Sequence, residues 1–407
     1  MHMTRSGRYG FDASRLARID AFVSERYLDS GKLPHVQLLI ARDGEIVHFS
    51  HQGAAREGGA PVDEGTLFRI ASMTKPITSL AFMMLAEEAR VSLDTPVHHV
   101  LPELKGLGVY AGGGEGAPFT TTPTAEPMRM VDLLRHTSGL TYSFQNRTPV
   151  DAAYRDSKIE NWHGNLTLDE FIAALGKLPL EFSPGTEWNY SVSTDVLGAV
   201  VERVAGMPLE SFFATRIFEP LGMADTFFQV PADKLHRLSD CWALDEKTGQ
   251  RVLYDRGEAS AWSLFPRLVS GGGGLVSTAL DYHRFCSFCL NGGELDGVRL
   301  VSPKTIELMT MNHLPGGSDL ATMSKALFSE TTNAGVGFGL GFAVTTDVAR
   351  TLMPGSVGEY YWGGMFSTAF FVDPVERIHM VFMTQLTPSM RYPIRRELKT
   401  MIYSALT

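Results

Sequence analysis

Apolar positions along the chain follow two periods. Over residues 14–27, Leu16, Ile19, Phe22 and Val23 recur at helical spacing, which predicts an amphipathic helix. Residues 36–41 and 45–50 are β-type runs on either side of Asp43-Gly44, and Asp-Gly between such runs predicts a hairpin. Residues 80–86 form an apolar, helix-favouring run. From about Leu93 the pattern breaks: Pro96, Pro102, Gly106, Gly108, the glycines at 112–114, Pro118, Pro123 and Pro127 predict a long irregular excursion. Helical patches return at Met130–Leu134, Leu168–Leu175 and residues 196–204. Residues 275–290 read as a short strand and then a helix, and residues 303–310 as another helix. Residues 339–345, 367–372 and 378–384 predict strands. The last two pair about the turn at Asp373-Pro374, and residues 392–406 predict a closing helix.

A hairpin near each end of the chain predicts one antiparallel sheet built from both termini and covered by helices. The expected fold class is α+β: a body of residues 1–90 and 269–407, with residues 91–268 inserted as a mostly helical lobe. At 407 residues the chain exceeds the roughly 250–300 at which single cores stop growing, which fits two lobes. A cleft between lobes is a usual place for chemistry.

Composition narrows the function. The formal net charge of −9, with no dense Lys/Arg stripe, argues against a nucleic-acid partner. Cys241, Cys286 and Cys289 are too few, and odd in number, for a disulfide framework. Cys286 and Cys289 have C-x-x-C spacing but lie in an apolar, helix-like stretch with no second ligand pair, so buried structural thiols are expected. Residues 1–10 contain no apolar run of the signal-peptide kind, and no 18-residue apolar stretch occurs anywhere. A cytoplasmic protein without a membrane span is therefore expected, a removed signal being the alternative.

The candidate chemistry centres on Ser72-Met-Thr-Lys75. Residues three apart share a helix face, so the Ser72 hydroxyl and the Lys75 amine can meet. A proline inside a helix clashes with the carbonyl four residues back, so Pro76 places the helix start near Ser72. That start offers free backbone N–H groups and favours negative charge. A plain helix cap is the competing reading. No G-x-S-x-G elbow and no H-E-x-x-H motif occurs. His98-His99 reads as surface or loop, and His136 as a structural hydrogen-bonder. Lys75 is the local base, improved by desolvation. Tyr190 is a second one, on a loop entering a helix after the Pro184-Gly185 turn. Tyr361-Trp-Gly-Gly364 precedes the last hairpin; its glycines leave room for a ligand or another backbone.

S-x-x-K, then Tyr190-Ser-Val192, then Trp362-Gly-Gly364 form an ordered set that resembles the family VIII carboxylesterases. The segments around Phe68–Lys75, Leu133–Gly139, Phe182–Gly185 and Gly271–Ser277 match as well. That family shares the fold of class C β-lactamases, serine D,D-peptidases and statin-type acyltransferases. The resemblance implies Ser72 as nucleophile of an acyl-enzyme, with Lys75 and Tyr190 sharing proton transfer and the choice of acylation base left open. It implies an oxyanion hole of the Ser72 and Met365 backbone N–H groups, Met365 standing on the strand after Gly364. Trp362, Gly363, Gly364 and Tyr142 would line the substrate. No metal or organic cofactor is implied, and the partner is a small-molecule ester. Two departures separate the chain from the lactamases: Val192 replaces the Asn of the tyrosine motif, and Trp362 replaces the Lys of K-T-G. Losing a cation for substrate carboxylates and gaining an apolar wall favours neutral, short-chain esters. A β-lactamase or D,D-peptidase on the same scaffold, and a sensor that acylates without turnover, are the rival readings.

Overall fold

The turn at Asp43-Gly44 has φ of 52° and 81°, the two positive values that a type I′ hairpin turn requires. In the computed structural model, which describes residues 3–4, 9–160, 164, 166–324 and 333–407, this turn opens an eight-stranded antiparallel sheet. Its strands in chain order are β1 (Met3–Thr4), β2 (His35–Arg42), β3 (Glu45–Gly53), β4 (Val336–Phe338), β5 (Ala343–Thr345), β6 (Tyr360–Gly363), β7 (Ala369–Asp373) and β8 (Ile378–Met383). Their spatial order is β1-β3-β2-β8-β7-β6-β5-β4. The first hairpin and the last meet where β2 pairs with β8, Leu39 opposite Val381. Residues 1, 2 and 5–8, on which part of the N-terminal reading rests, lie outside the described residues.

Strand side chains alternate between faces, and both faces of this sheet are covered. On one side Leu38, Ile40, Met380 and Phe382 pack with α1 (Ala13–Val23) and with a C-terminal helix at Ile394–Ser404. On the other, Leu39, Ala41, Phe370 and Val381 join the main core with α2 (Thr74–Glu87), α3 (Ser193–Ala205) and α4 (Ala279–Leu290). The C-terminal helix is α5. Pro76 occupies the third position of α2, inside the first turn where its missing N–H and ring are tolerated. α3 ends at Gly206, φ 71°, the left-handed cap that glycine favours.

Three predicted elements differ. Residues 339–345 are not one strand: the chain reverses between β4 and β5, with Gly339 N–H bonded to the Phe342 carbonyl and Gly341 at φ 101°. The excursion after Leu93 contains a two-stranded hairpin, Val109–Gly114 with Ala117–Thr122, turned by Glu115 and Gly116. Glycine-rich, exposed strands carry little propensity, so the pattern hides them. Within the segment read as mostly helical, Cys241–Leu244 and Arg251–Asp255 form a hairpin that pairs with Leu386–Thr387. Among the described residues no helix is long and apolar enough to cross a membrane.

Candidate active site

The chain enters α2 through a strained corner. Ala71 holds φ at 44°, a left-handed value that costs a non-glycine residue about 1–2 kcal/mol. The corner is pinned from behind by the fully buried Arg69, whose guanidinium donates to the Ser239 carbonyl at 2.8 Å and pairs with Asp255. Ala71–Met73 then form one turn of 3-10 helix, and α2 continues from Thr74. Ser72 stands in that turn, partly exposed, while Lys75 is 2 % exposed. Lys75 Nζ donates to Ser72 Oγ at 3.2 Å and to the Gly272 carbonyl at 2.7 Å.

Two aromatic faces flank the amine. Lys75 Nζ lies 4.6 Å from the Tyr190 ring centre and 5.5 Å from that of Tyr142. Such contacts stabilise a cation by roughly 0.5–2 kcal/mol, more as water is excluded. The Tyr190 hydroxyl accepts from Trp362 Nε1 at 3.4 Å. Tyr190 is held in turn by Gln145, which donates to its carbonyl at 2.5 Å, and by the His136 ring at 5.0 Å. His136 is buried, at φ 58°, and reaches Ser191 Oγ through Nδ1 at 3.3 Å; burial holds its pKa well below that of a free imidazole. It therefore acts as a neutral packing partner, as its sequence context suggested. Tyr142 is 6 % exposed and stacks on Phe144, and burial pushes its phenol well above the usual range.

β6 ends at Gly363 and the chain turns toward β7: Ser367 N–H bonds to the Gly364 carbonyl at 3.1 Å. Met365 is thus the second residue of a tight turn and not on a strand, which corrects the expectation. A side chain at Gly364 would meet the Ile70 carbonyl and stand 3.3 Å from Ala71 Cβ. One at Gly363 would stand 2.8 Å from the Arg395 guanidinium carbon. These glycines therefore admit the chain's own groups. Their contact brings the turn that carries Met365 against the Ala71 corner beside Ser72.

Sequence reasoning missed Asp195 and the purpose of residues 271–274. This glycine run threads between α2 and α3. Its Gly271 carbonyl accepts from Thr78 Oγ1 at 2.6 Å, its Gly272 carbonyl from Lys75, and its Gly274 carbonyl from Trp262 Nε1 at 3.1 Å. Side chains at Gly271 and Gly272 would meet the Thr194 carbonyl and the Asp195 carboxylate. Asp195 is buried on α3; it accepts from Gly272 N–H at 3.0 Å and from Ser270 Oγ at 2.5 Å. Burial raises its pKa and Lys75 draws it back. Its signal in the sequence was a lone acid at the head of an apolar helix, which also describes an ordinary first-turn residue.

A serine hydroxyl in contact with a buried lysine amine that also faces a phenol ring can lose its proton and act as a nucleophile. The model of the β-lactamase family matches residues 20–401. The chain belongs to the β-lactamase family. Within that family it is 32% identical to esterase EstB of Burkholderia gladioli over 97% of either chain. It is 36% identical to protein Rv1367c of Mycobacterium tuberculosis over 82% of this chain and 81% of that one. Among solved structures, EstCE1, a hydrolase with promiscuous acyltransferase activity, superposes with a TM-score of 0.78 at 27% identity, covering 96% of this chain and 99% of that one. The sequence resemblance to the esterases of this fold is therefore met by relatives and structure alike.

The three cysteines are buried, and burial pushes Cys241 up to about 12 and raises the other two as well. Among the described residues no cluster of His, Cys, Asp or Glu could hold a metal.

Proposed function

We propose that the chain is a serine esterase that hydrolyses short-chain carboxylic esters through an acyl-enzyme on Ser72. The observation that carries this reading is the 3.2 Å contact from the buried Lys75 amine to Ser72 Oγ at the head of α2. The site lies in the cleft between the sheet body (residues 1–90 and 269–407) and the helical lobe (91–268). With the Lys75 amine unprotonated or the Tyr190 phenol ionised, Ser72 loses its proton to that pair as Oγ attacks the ester carbonyl carbon. The tetrahedral oxyanion is held by the Ser72 and Met365 N–H groups, each such donor being worth about 2.7–4 kcal/mol. Collapse expels the alcohol, which takes the proton from the same pair. Water then attacks the acyl-serine by the reverse path and releases the acid. Trp362, packed between Tyr190 and Phe338 with Tyr142 across the ring cluster, supports a neutral, partly apolar substrate.

An alcohol in place of water would make the same intermediate an acyl donor, the promiscuous activity ascribed to EstCE1. Comparison of p-nitrophenyl butyrate with a chromogenic cephalosporin tests the substrate class; a higher kcat/KM on the cephalosporin overturns the ester reading. A fluorophosphonate probe should label wild-type protein at Ser72, and Ser72→Ala should lose labelling and about 10³-fold or more of activity. Labelling that persists in Ser72→Ala sinks the nucleophile assignment. A stoichiometric burst without later turnover would instead mark a sensor.

A further inference from the structure

We propose that Arg395, at the first turn of α5, is the positioning residue of the oxyanion hole. The inference rests on the reading of Met365 N–H as an oxyanion donor. The Arg395 Nη2 atom donates to two carbonyls at once, Gly364 at 2.8 Å and Thr368 at 2.9 Å. Those are the two ends of the turn that carries Met365: Gly364 N–H also bonds to the Thr368 carbonyl at 2.9 Å, and Ser367 N–H to that of Gly364. The guanidinium occupies the space that a side chain at Gly363 would fill, so β6 lies directly on it. On its opposite side the turn is fastened to the nucleophile's corner, through Thr368 Oγ1 to the Ile70 carbonyl at 3.3 Å and through the packing of Gly364 on Ala71.

The consequence is geometric. The turn between β6 and β7 is closed by its own backbone bonds, but an oxyanion donor works only when the turn as a whole is fixed near 3 Å from where the charge develops. Gly364 gives the close approach but supplies no side chain to fix it. Arg395 supplies that restraint from α5, 31 residues further along the chain than Gly364. A planar guanidinium can bridge two carbonyls in fixed directions, whereas a lysine ammonium is a point donor on a flexible stem. Arg395 touches neither substrate nor the reacting atoms; it acts through the Met365 amide.

The test uses the full-length chain and four variants: Arg395→Ala, Arg395→Lys, Met365→Pro, and Arg395→Ala with Met365→Pro. Proline is tolerated at the second residue of such turns and has no N–H to donate. With p-nitrophenyl butyrate, Arg395→Ala should lower kcat about 10- to 100-fold with KM changed less than about threefold, within the range for a lost oxyanion donor. An alkylboronic acid, which forms a tetrahedral adduct on a nucleophilic serine, should bind more weakly by the same factor as kcat/KM falls. Added guanidinium ion should restore part of kcat to Arg395→Ala. In the Met365→Pro background the Arg395→Ala change should have no further effect on kcat. A folded Arg395→Ala with wild-type kcat overturns the proposal, and so does a double variant whose losses multiply. If Arg395→Ala does not fold, Arg395→Lys decides: wild-type kcat overturns the proposal, and a kcat loss at constant KM supports it. Ser72→Ala run in parallel separates the readings, since its retained activity would mean that the site itself was misplaced.

Discussion

Lys75 Nζ has neighbours of three kinds: the Ser72 hydroxyl, the Gly272 carbonyl and the faces of Tyr190 and Tyr142. Only the hydroxyl can give up a proton. The carbonyl and the rings fix where the amine points. Tyr190 differs: its hydroxyl is oriented by Trp362 Nε1, and no hydrogen bond joins it to Lys75 among the described residues. A role in proton transfer therefore predicts that Tyr190→Phe lowers kcat by about 10²–10⁴-fold, the range for a lost general acid or base. Pre-steady-state release of p-nitrophenol measures it; a normal burst rate would remove Tyr190 from acylation. Trp362→Phe keeps a smaller aromatic face and loses the N–H donor. It should change kcat by less than tenfold, because a 3.4 Å neutral hydrogen bond contributes about 0.5–1.5 kcal/mol. A steady-state comparison on the same ester measures it.

At the scale of elements, the glycine run 271–274 has the clearest consequence. Gly272→Ala places a methyl group against the buried Asp195 carboxylate, so either the run or α3 must shift. Because the Gly272 carbonyl holds Lys75, the shift should reduce kcat as well as the thermal midpoint; full activity in a destabilised variant would uncouple the run from the amine. A second element pair is sensitive to pH. His283 on α4 meets His379 on β8, Nδ1 to Nε2 at 2.7 Å. Burial lowers His283 to about 4 and His379 well below its usual value, and His283 further disfavours a charge on His379. Arg284 adds to the repulsion at His283. An unfolded imidazole titrates near about 6.5, so the unfolded chain takes up these protons first. The pair's contribution is full above that pH and is lost as pH falls toward 4. His283→Gln should therefore stabilise the protein relative to wild type by up to about 3 kcal/mol more at pH 4 than at pH 8. Urea unfolding at both pH values reads it, and an equal difference at both would refute the assignment.

These elements also mark what the sequence made legible. The first hairpin was readable because Asp43-Gly44 encodes its turn locally, and α2 because Pro76 and Ser72 bracket its start. The hairpin at 109–122 was not, because glycine and proline mask strand propensity. Ser72, Lys75, Tyr190 and Trp362 were named from motifs, and the structure brings them together. Asp195 and Arg395 were not named, and Gly272 was named only as part of a matching run without its role, because their contacts join segments that are distant in sequence, or because a buried acid and a helix arginine look ordinary in one dimension.

At the scale of the whole molecule, the site depends on the closure of the chain's two ends. β2 pairs with β8, Asp12 N–H bonds to the Ala405 carbonyl, and Thr407 N–H bonds to that of Gly10. α5 is held to the sheet by a buried ion pair, Lys399 Nζ to Glu359 Oε1 at 2.5 Å, with Tyr403 donating to Glu359 Oε2 at 2.6 Å. Burial raises the Glu359 carboxyl and Lys399 draws it back. Removing one partner of such a pair leaves the other charge buried and unpaired, which costs about 3–5 kcal/mol, whereas removing both costs less. Lys399→Met should thus lower the unfolding free energy by about 3–5 kcal/mol, and Glu359→Gln combined with Lys399→Met should recover part of that loss. Since α5 also carries Arg395, local detachment of the helix in Lys399→Met should lower kcat before the sheet unfolds. Activity and far-ultraviolet dichroism followed along one urea titration measure this. In wild type the two transitions should coincide. In Lys399→Met activity should fall at lower urea than the dichroism; coincident curves there would mean that α5 and the sheet unfold as one unit.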